Sequence, residues 1–423
     1  MTTLSRREFL SAAARSAATC LCAPLNVGQL LPSMAFFAPP GQAPQGDILV
    51  VVFQRGGMDG LNAVIPQGEA EYYRQRPTLQ IAESSASDNS AIDLDGFFGL
   101  HPALRAFKDI WDSGELAIVH ASGSPDPTHS HFDAMDYMER GTPGEKSLGS
   151  GWLARHLQTT AWENDSPFRA VGIGAMLQSS LRGPVSATAM QSIAQFHLGG
   201  DNQAAEIAAF QATLAELYGT GSLLDATGQL TLGATATLEE VIDANYAPSN
   251  GARYPDSSFG QGLLQIAQLI KAEVGLEVAT LDIGGWDTHA QQGALEGEMP
   301  GLLSDFADSL AAFYADLGQL TQRVTIVTMS EFGRRVAENS SGGTDHGHGN
   351  VMFLLGQNLN GGQVYGDWPG LEPGTLYGPG DLPITTDYRD VLAEILQKRL
   401  LNDRIGEIFP GHSDLDFLGL AKG

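Results

Sequence analysis

Carboxylates and imidazoles recur in short polar runs along this chain. The runs are Arg55-Gly56-Gly57-Met58-Asp59, Thr128-His129-Ser130-His131-Phe132 and Gly284-Gly285-Trp286-Asp287-Thr288-His289. Two more follow: Ser330-Glu331-Phe332-Gly333-Arg334-Arg335, then Thr344-Asp345-His346-Gly347-His348-Gly349-Asn350. Mixed Asp and His sets suit Zn, Mn or Fe, whereas all-oxygen sets suit Mg or Ca. The candidate metal ligands are therefore Asp59, Asp287, His289, Glu331, Asp345, His346 and His348. One or two divalent ions are expected, and a pair about 3.5–4 Å apart would clamp a phosphoryl or sulfuryl oxygen.

Ser130 precedes a helical pattern from Phe132 to Arg140. A helix N-terminus favours an alkoxide or a bound anion, so Ser130 is the candidate nucleophile and Thr128 its alternative. Arg55 or Arg334 would hold a substrate anion with its planar fork. Plainer readings stand beside these. Asp59 and Ser130 are also good helix or turn caps, and Glu331 has Arg334 and Arg335 close by as ion-pair partners. Trp286 either walls a pocket or packs. His101, His156, His197 and His412 stand alone and carry no assigned role.

These runs need elements to position them. Asp47 to Gln54 is a continuous apolar, β-branched run, as in a strand buried on both faces of a parallel sheet. Further strands are expected at 116–120, 169–174, 277–282, 324–329 and 351–355. Leu302, Phe306, Leu310, Phe313, Leu317 and Leu320 form one helical stripe, with Pro300 in its first turn. Residues 203–217, 258–272 and 387–401 also read as helices. Alternating strands and helices predict an α/β three-layer sandwich with a mainly parallel central sheet. In such a sheet function gathers at the carboxyl ends of the strands, where the polar runs fall. Residues 175–260 are rich in Ala, Gln, Gly and Thr and are expected to be a helical insertion; 83–92 and 338–345 read as surface loops.

The chain has 423 residues, 43% hydrophobic and 17% charged, enough for a sizeable core. It carries 23 Lys+Arg against 49 Asp+Glu, a formal net charge of −26. That balance repels phosphate backbones and anionic lipid surfaces, which excludes nucleic-acid binding through a basic face. No run after the N-terminus is long and apolar enough to span a bilayer.

Ser5-Arg6-Arg7-Glu8-Phe9-Leu10, followed by an Ala-rich run, has the pattern of a twin-arginine export signal. Residues 1–38 form this segment, with cleavage near Ala38 or nearer Ala23. The twin-arginine machinery is then a partner, and a periplasmic or extracellular location is expected. Cys20 and Cys22 both lie in the segment, so residues 39–423, read as a single domain, hold no cysteine. Disulfides and thiolate catalysis are excluded there. Export in the folded state suits a protein that must load a cofactor first.

The motifs Arg-Gly-Gly-Met-Asp59-Gly-Leu-Asn, Phe-Gly-Leu-His101-Pro-Ala-Leu, Ser130-His-Phe, Gly-Gly-Trp-Asp287-Thr-His289, Ser-Glu331-Phe-Gly-Arg and Thr-Asp345-His346-Gly-His348-Gly occur in order. They resemble a family of twin-arginine-exported bacterial proteins known as domain of unknown function 1501. That family is similar to the alkaline phosphatase and sulfatase superfamily, which includes cofactor-independent phosphoglycerate mutases. The resemblance implies an alkaline phosphatase-like fold. It implies Asp59 as the metal ligand after the first strand and Ser130 as the nucleophile. Asp287 with His289, and Asp345 with His346, would serve metal sites that His348 completes. Asp287 and His289 are closer together than the superfamily's pair, which leaves Asp282 as an alternative ligand. Glu331 stands where the superfamily's Asp-His pair follows its strand, so it would replace one ligand. The formylglycine mechanism of type I sulfatases is not expected without a cysteine. The expectation is an exported metal-dependent hydrolase or transferase of small-molecule or glycan esters of phosphate or sulfate. The alternative is a non-catalytic exported protein that uses the site for a structural metal or an anion.

Overall fold

The computed structural model describes residues 46–160, 164, 166–193 and 246–422. The export segment, both cysteines, the expected helix at 203–217 and most of the expected insertion lie outside the described residues.

The scaffold is a nine-stranded sheet. Its strands are β1 (Ile48–Gln54), β2 (Leu116–Gly123), β3 (Ala170–Ile173), β4 (Thr188–Met190), β5 (Val278–Ile283), β6 (Val324–Met329), and three more introduced below. A two-stranded ribbon follows β6, made of β7 (Arg334–Glu338) and β8 (Thr344–His346). The ribbon closes on part of the stretch read as a surface loop at 338–345. The main sheet then gains β9 (Asn350–Leu355), β10 (Gln363–Tyr365) and β11 (Thr386–Asp387). Its order is β10-β2-β9-β6-β1-β5-β3-β4, with β11 also paired to β2. Strand β1 pairs in parallel with β5 and β6, in registers that set Phe53 beside Asp282 and Met329. Only β9 runs against its neighbours β2 and β6.

All seven residues of β1 are buried, which explains its unbroken apolar run. Their side chains alternate between two cores. Val50 and Val52 face helices α3 (Ser258–Lys271) and α4 (Glu298–Leu317), meeting Leu263, Leu303 and Phe306. Leu49, Val51 and Phe53 face helices α2 (Trp152–Thr159) and α5 (Tyr388–Lys398), meeting Trp152, Val391 and Ile395. Helices on both faces of a mainly parallel sheet give an α/β three-layer sandwich. Helix α1 (His131–Arg140) follows β2.

The described ends of 175–260 hold a short 3₁₀ turn at Ser179–Leu181, the edge strand β4 and the start of α3. Sequence reading missed β4, a three-residue strand in a stretch without an apolar run. Among the described residues, no helix is long and apolar enough to cross a membrane.

Strand direction decides where polar loops meet. Strands β1, β2, β5 and β6 point the same way, so their carboxyl ends share one rim. The reversed strand β9 starts at that rim. Its direction brings Thr344–Asn350 to the loops that follow β1, β2, β5 and β6.

Candidate metal centre

The centre is built around Asp287, four residues beyond the end of β5. Arg334 holds it from below, with Nη2 donating to Asp287 Oδ1 at 2.8 Å. Arg334 is buried and fixed by carbonyls: Nε donates to Gly57 O at 2.6 Å, Nη1 to Thr344 O at 2.8 Å, and Nη2 to Gly56 O at 2.5 Å and Trp286 O at 3.0 Å. Gly56 has a φ of +124°, and an added Cβ would lie 2.6 Å from Asp287 N. Glycine is therefore needed for the β1 loop to seat against Asp287.

Three imidazoles surround this carboxylate. His131 Nε2 lies 3.4 Å from Asp287 Oδ1, and His289 Nε2 and His346 Nε2 each lie 3.1 Å away. The Nε2 atoms of His289 and His346 are 2.9 Å apart. Ligand atoms of His131, Asp287 and His346 all fall within 4.8 Å of one another.

The outer nitrogen of each ring is occupied. His131 Nδ1 donates to Glu331 Oε1 at 2.7 Å, and His346 Nδ1 donates to His129 O at 2.9 Å. His289 Nδ1 lies 3.3 Å from Asp345 Oδ1. A carbonyl or an ionised carboxylate only accepts, so in the neutral rings these contacts place the proton on Nδ1 and leave Nε2 with a lone pair. Three lone pairs and a carboxylate oxygen thus point into one space. Facing acceptors repel unless a cation lies among them. Atoms about 2.1 Å from a shared tetrahedral cation would sit about 3.4 Å apart, close to the spacing seen here. Carboxylates and carbonyls behind ligating imidazoles are the usual supporting partners in metal sites.

Burial opposes the charge on Asp287, but Arg334 and His346 outweigh it and pull the carboxyl to about 2. The Glu331 bond raises His131, whereas burial lowers His346. Asn339, with His289 and the charge of Arg335, holds Asp345 below the usual carboxylate range. The side chains of Asp287 and His289 are 48% and 42% exposed, so the centre opens to solvent on that side.

Several sequence-derived ligands stand elsewhere. Asp59 is buried and bonded to Arg76 Nη1 at 2.6 Å and Gln292 Nε2 at 2.7 Å, an ion pair beneath the centre rather than part of it. Gln292 in turn accepts from Thr288 and Thr344, which links that layer to the Asp287 loop. Glu331 forms neither of the ion pairs expected with Arg334 and Arg335 and does not enter the cluster. It accepts from Gly56 N and His131 and lies 3.1 Å from Ser330 Oγ. Asp345 stands behind His289. His348 stacks on Tyr377 at 4.6 Å, where burial lowers it to about 4.

The anion-binding arginines are corrected as well. Arg334 has the buried contacts already given. Arg55 is held by Glu139 and Asp282, each at 2.9 Å, which also removes Asp282 as an alternative ligand. Ser130 does occupy the N-cap of α1, between His129 and His131. Its hydroxyl makes no bond to the helix backbone and faces Asp133. Thr128 Oγ1 accepts from Ser130 N. Trp286 is buried with its indole N–H bonded to Ile283 O, a packing role.

Sequence reading passed over His131 and His129 in favour of the serine between them. The available signal was a pair of imidazoles flanking the start of a helix at a strand-end loop. Asp381 was also missed, because it sits in a Gly-Pro-Gly turn with no nearby histidine in sequence.

Fold and centre together define an α/β protein with an open His/Asp cluster at the carboxyl rim of its sheet. The family model described as "Protein of unknown function (DUF1501)" matches residues 47–404, and the chain belongs to that family. No curated protein matches the chain. Among solved structures it is similar to the lipoteichoic acid synthase LtaP from Listeria monocytogenes, at 10% identity over 90% of this chain and 77% of that one, with a TM-score of 0.37. It is also similar to a protein from a Bacteroides thetaiotaomicron locus for metabolism of multiple glycosaminoglycans. There identity is 10%, coverage 85% and 74%, and the TM-score 0.36. Alkaline phosphatase from the Antarctic bacterium TAB5 matches at 9% identity, over 74% of this chain and 92% of that one, with a TM-score of 0.29.

Proposed function

We propose that the chain is an exported, metal-dependent hydrolase or transferase acting on phosphate or sulfate esters. The observation that carries this is the convergence of His131, His289 and His346 on Asp287 Oδ1, each with its outer nitrogen occupied. Three imidazoles and a carboxylate suit Zn, Mn or Fe. Such an ion would polarise an ester oxyanion and stabilise charge developing on it.

In this reading the chain's residues divide the remaining work. Glu331, Asp345 and the His129 carbonyl fix ring orientation, and Arg334 fixes Asp287. Ser130 supplies the attacking hydroxyl at the head of α1, where the helix N-terminus favours negative charge. Its Oγ bonds to phosphorus or sulfur as the substrate's alcohol oxygen leaves, and water or another acceptor alcohol then releases the serine. Residues 1–38 direct twin-arginine export, which puts the activity in the periplasm or outside the cell.

The test uses chain purified from its native host, with metal quantified and a panel of aryl phosphates and sulfates assayed. The reading expects bound transition metal and turnover that falls on the order of 10³-fold in Ser130→Ala. Hydrolysis of none of the esters, or unchanged turnover in Ser130→Ala, overturns it. Arg6→Lys with Arg7→Lys should retain the chain in the cytoplasm, and normal export of that variant would remove the location from the proposal.

A further inference from the structure

Three arginines stand at the rim: Arg55, Arg334 and Arg335. The first two are occupied by the contacts described above. Arg335 differs. Its side chain is 37% exposed, and among the described residues its only ion-pair partner is Asp381, with Nε 3.8 Å from Oδ1, beyond hydrogen-bonding distance. Its Nε is buried and lacks a hydrogen-bond partner.

Asp381 gives this arginine a direction. The carboxylate is fully buried, and neither of its oxygens accepts a hydrogen bond. Oδ1 faces Arg335, and Oδ2 faces His129 Nε2 at 3.2 Å. The turn that carries it is tight: Tyr377 and Asp381 exchange backbone bonds of 2.9 Å in both directions, and Val336 N donates to Gly380 O. Arg335 and Asp381 also face each other across an isolated antiparallel bridge. The turn therefore holds a buried carboxylate facing the Nε of Arg335, whose side chain makes no hydrogen bond among the described residues. The position adjoins the metal centre. His129 bonds His346 through its carbonyl, and Arg335 contributes to the charge felt by Asp345 behind His289.

We propose that Arg335, oriented by Asp381, forms an oxyanion subsite beside the His131–Asp287–His289–His346 centre, and that the ligand is the acidic head of a phosphate or sulfate ester. A guanidinium presents two parallel N–H donors to such a head, which a lysine cannot reproduce. In a chain with 49 acidic residues against 23 basic ones, a partly exposed arginine without a hydrogen-bonded acid among the described residues is a group able to hold an anion. The subsite rests on the proposed function for its substrate class but is tested by binding alone.

The experiment titrates inorganic phosphate, and separately inorganic sulfate, into the exported full-length chain with its metal content measured. Heat and melting temperature are the readouts. Wild type should bind at least one of the anions. Arg335→Gln should weaken binding by about tenfold or more. Arg335→Lys should recover only part of the loss, and Asp381→Asn should weaken binding several-fold with Arg335 still present. Lys398→Gln, an exposed change in the last turn of α5 beside Arg399, which pairs with Asp47 ahead of β1 at the opposite end of the sheet, should bind like wild type. Binding by Arg335→Gln or Arg335→Lys that equals wild type overturns the subsite, as does failure of metal-loaded wild type to bind either anion. Arg335-dependent binding without hydrolysis of any ester leaves the subsite standing and removes the hydrolase reading instead.

Discussion

Gly-Gly-Met-Asp59 and Gly-Gly-Trp-Asp287 have the same local pattern at the ends of two adjacent parallel strands. Each aspartate is bonded to a buried arginine, Asp59 to Arg76 at 2.6 Å and Asp287 to Arg334 at 2.8 Å. Their fates differ. Asp59 is 1% exposed and closed in by Gln292, while the Asp287 side chain is 48% exposed and ringed by imidazoles. The pattern sets an aspartate beside a buried arginine. What the neighbouring loops bring decides whether it becomes a structural ion pair or a ligand. Loop 128–131 and ribbon β7–β8 supply histidines to one, and the Arg76 region supplies a buried polar lining to the other.

Substitutions at the two aspartates should separate these roles. Asp59→Ala leaves Arg76 buried without its partner, which should cost about 3–5 kcal/mol in denaturant unfolding. Asp59→Ala chain that remains folded should keep its metal. Asp287→Ala should do the reverse: metal affinity falls by about 100-fold or more, while unfolding measured in chelator changes by about 1 kcal/mol or less, because Arg334 keeps four carbonyl acceptors. A large stability loss at Asp287 with intact metal binding would erase the distinction.

Glu331→Gln sharpens the comparison one layer out. It keeps the side-chain shape but weakens the acceptor that fixes His131, so metal affinity should drop about 10–100-fold with the fold intact. An unchanged affinity would make Glu331 merely a partner of Gly56.

Histidines away from the rim should affect stability instead of metal binding. Burial lowers His120 to about 4 and His156 to about 3, so both stay neutral in the folded chain. The unfolded chain protonates near 6.5, so stability falls as pH drops below that value and continues to fall toward the folded pKa of each. The slope is about 1.4 kcal/mol per pH unit for each group. Urea unfolding at pH 7 and pH 5 checks this, and His156→Gln should flatten the dependence.

The sheet was legible because buried parallel strands leave continuous apolar runs, as in Ile48–Gln54 and Val324–Met329. The amphipathic stripe of α4 was legible for the same reason. The reversal of β9 was not, since a strand buried on both faces reads the same in either direction. That reversal brings Asp345 and His346 to the rim. At the site, Asp287, His289 and His346 stood out by residue type and spacing. The supporting place of Glu331 depends on His131 and Gly56, 200 and 275 residues away, the burial of Asp59 on Gln292, 233 residues away, as well as on Arg76, and the place of Asp345 on His289, 56 residues away. His131 was obscured by the more reactive-looking Ser130 beside it.

The most direct measurement is metal content of the native-host chain, compared with Asp287→Ala and Asp59→Ala prepared in the same way. The account predicts bound transition metal in the wild type, its loss in Asp287→Ala and its retention in folded Asp59→Ala. Wild-type chain without metal, or metal that survives Asp287→Ala and disappears with Asp59→Ala, contradicts it.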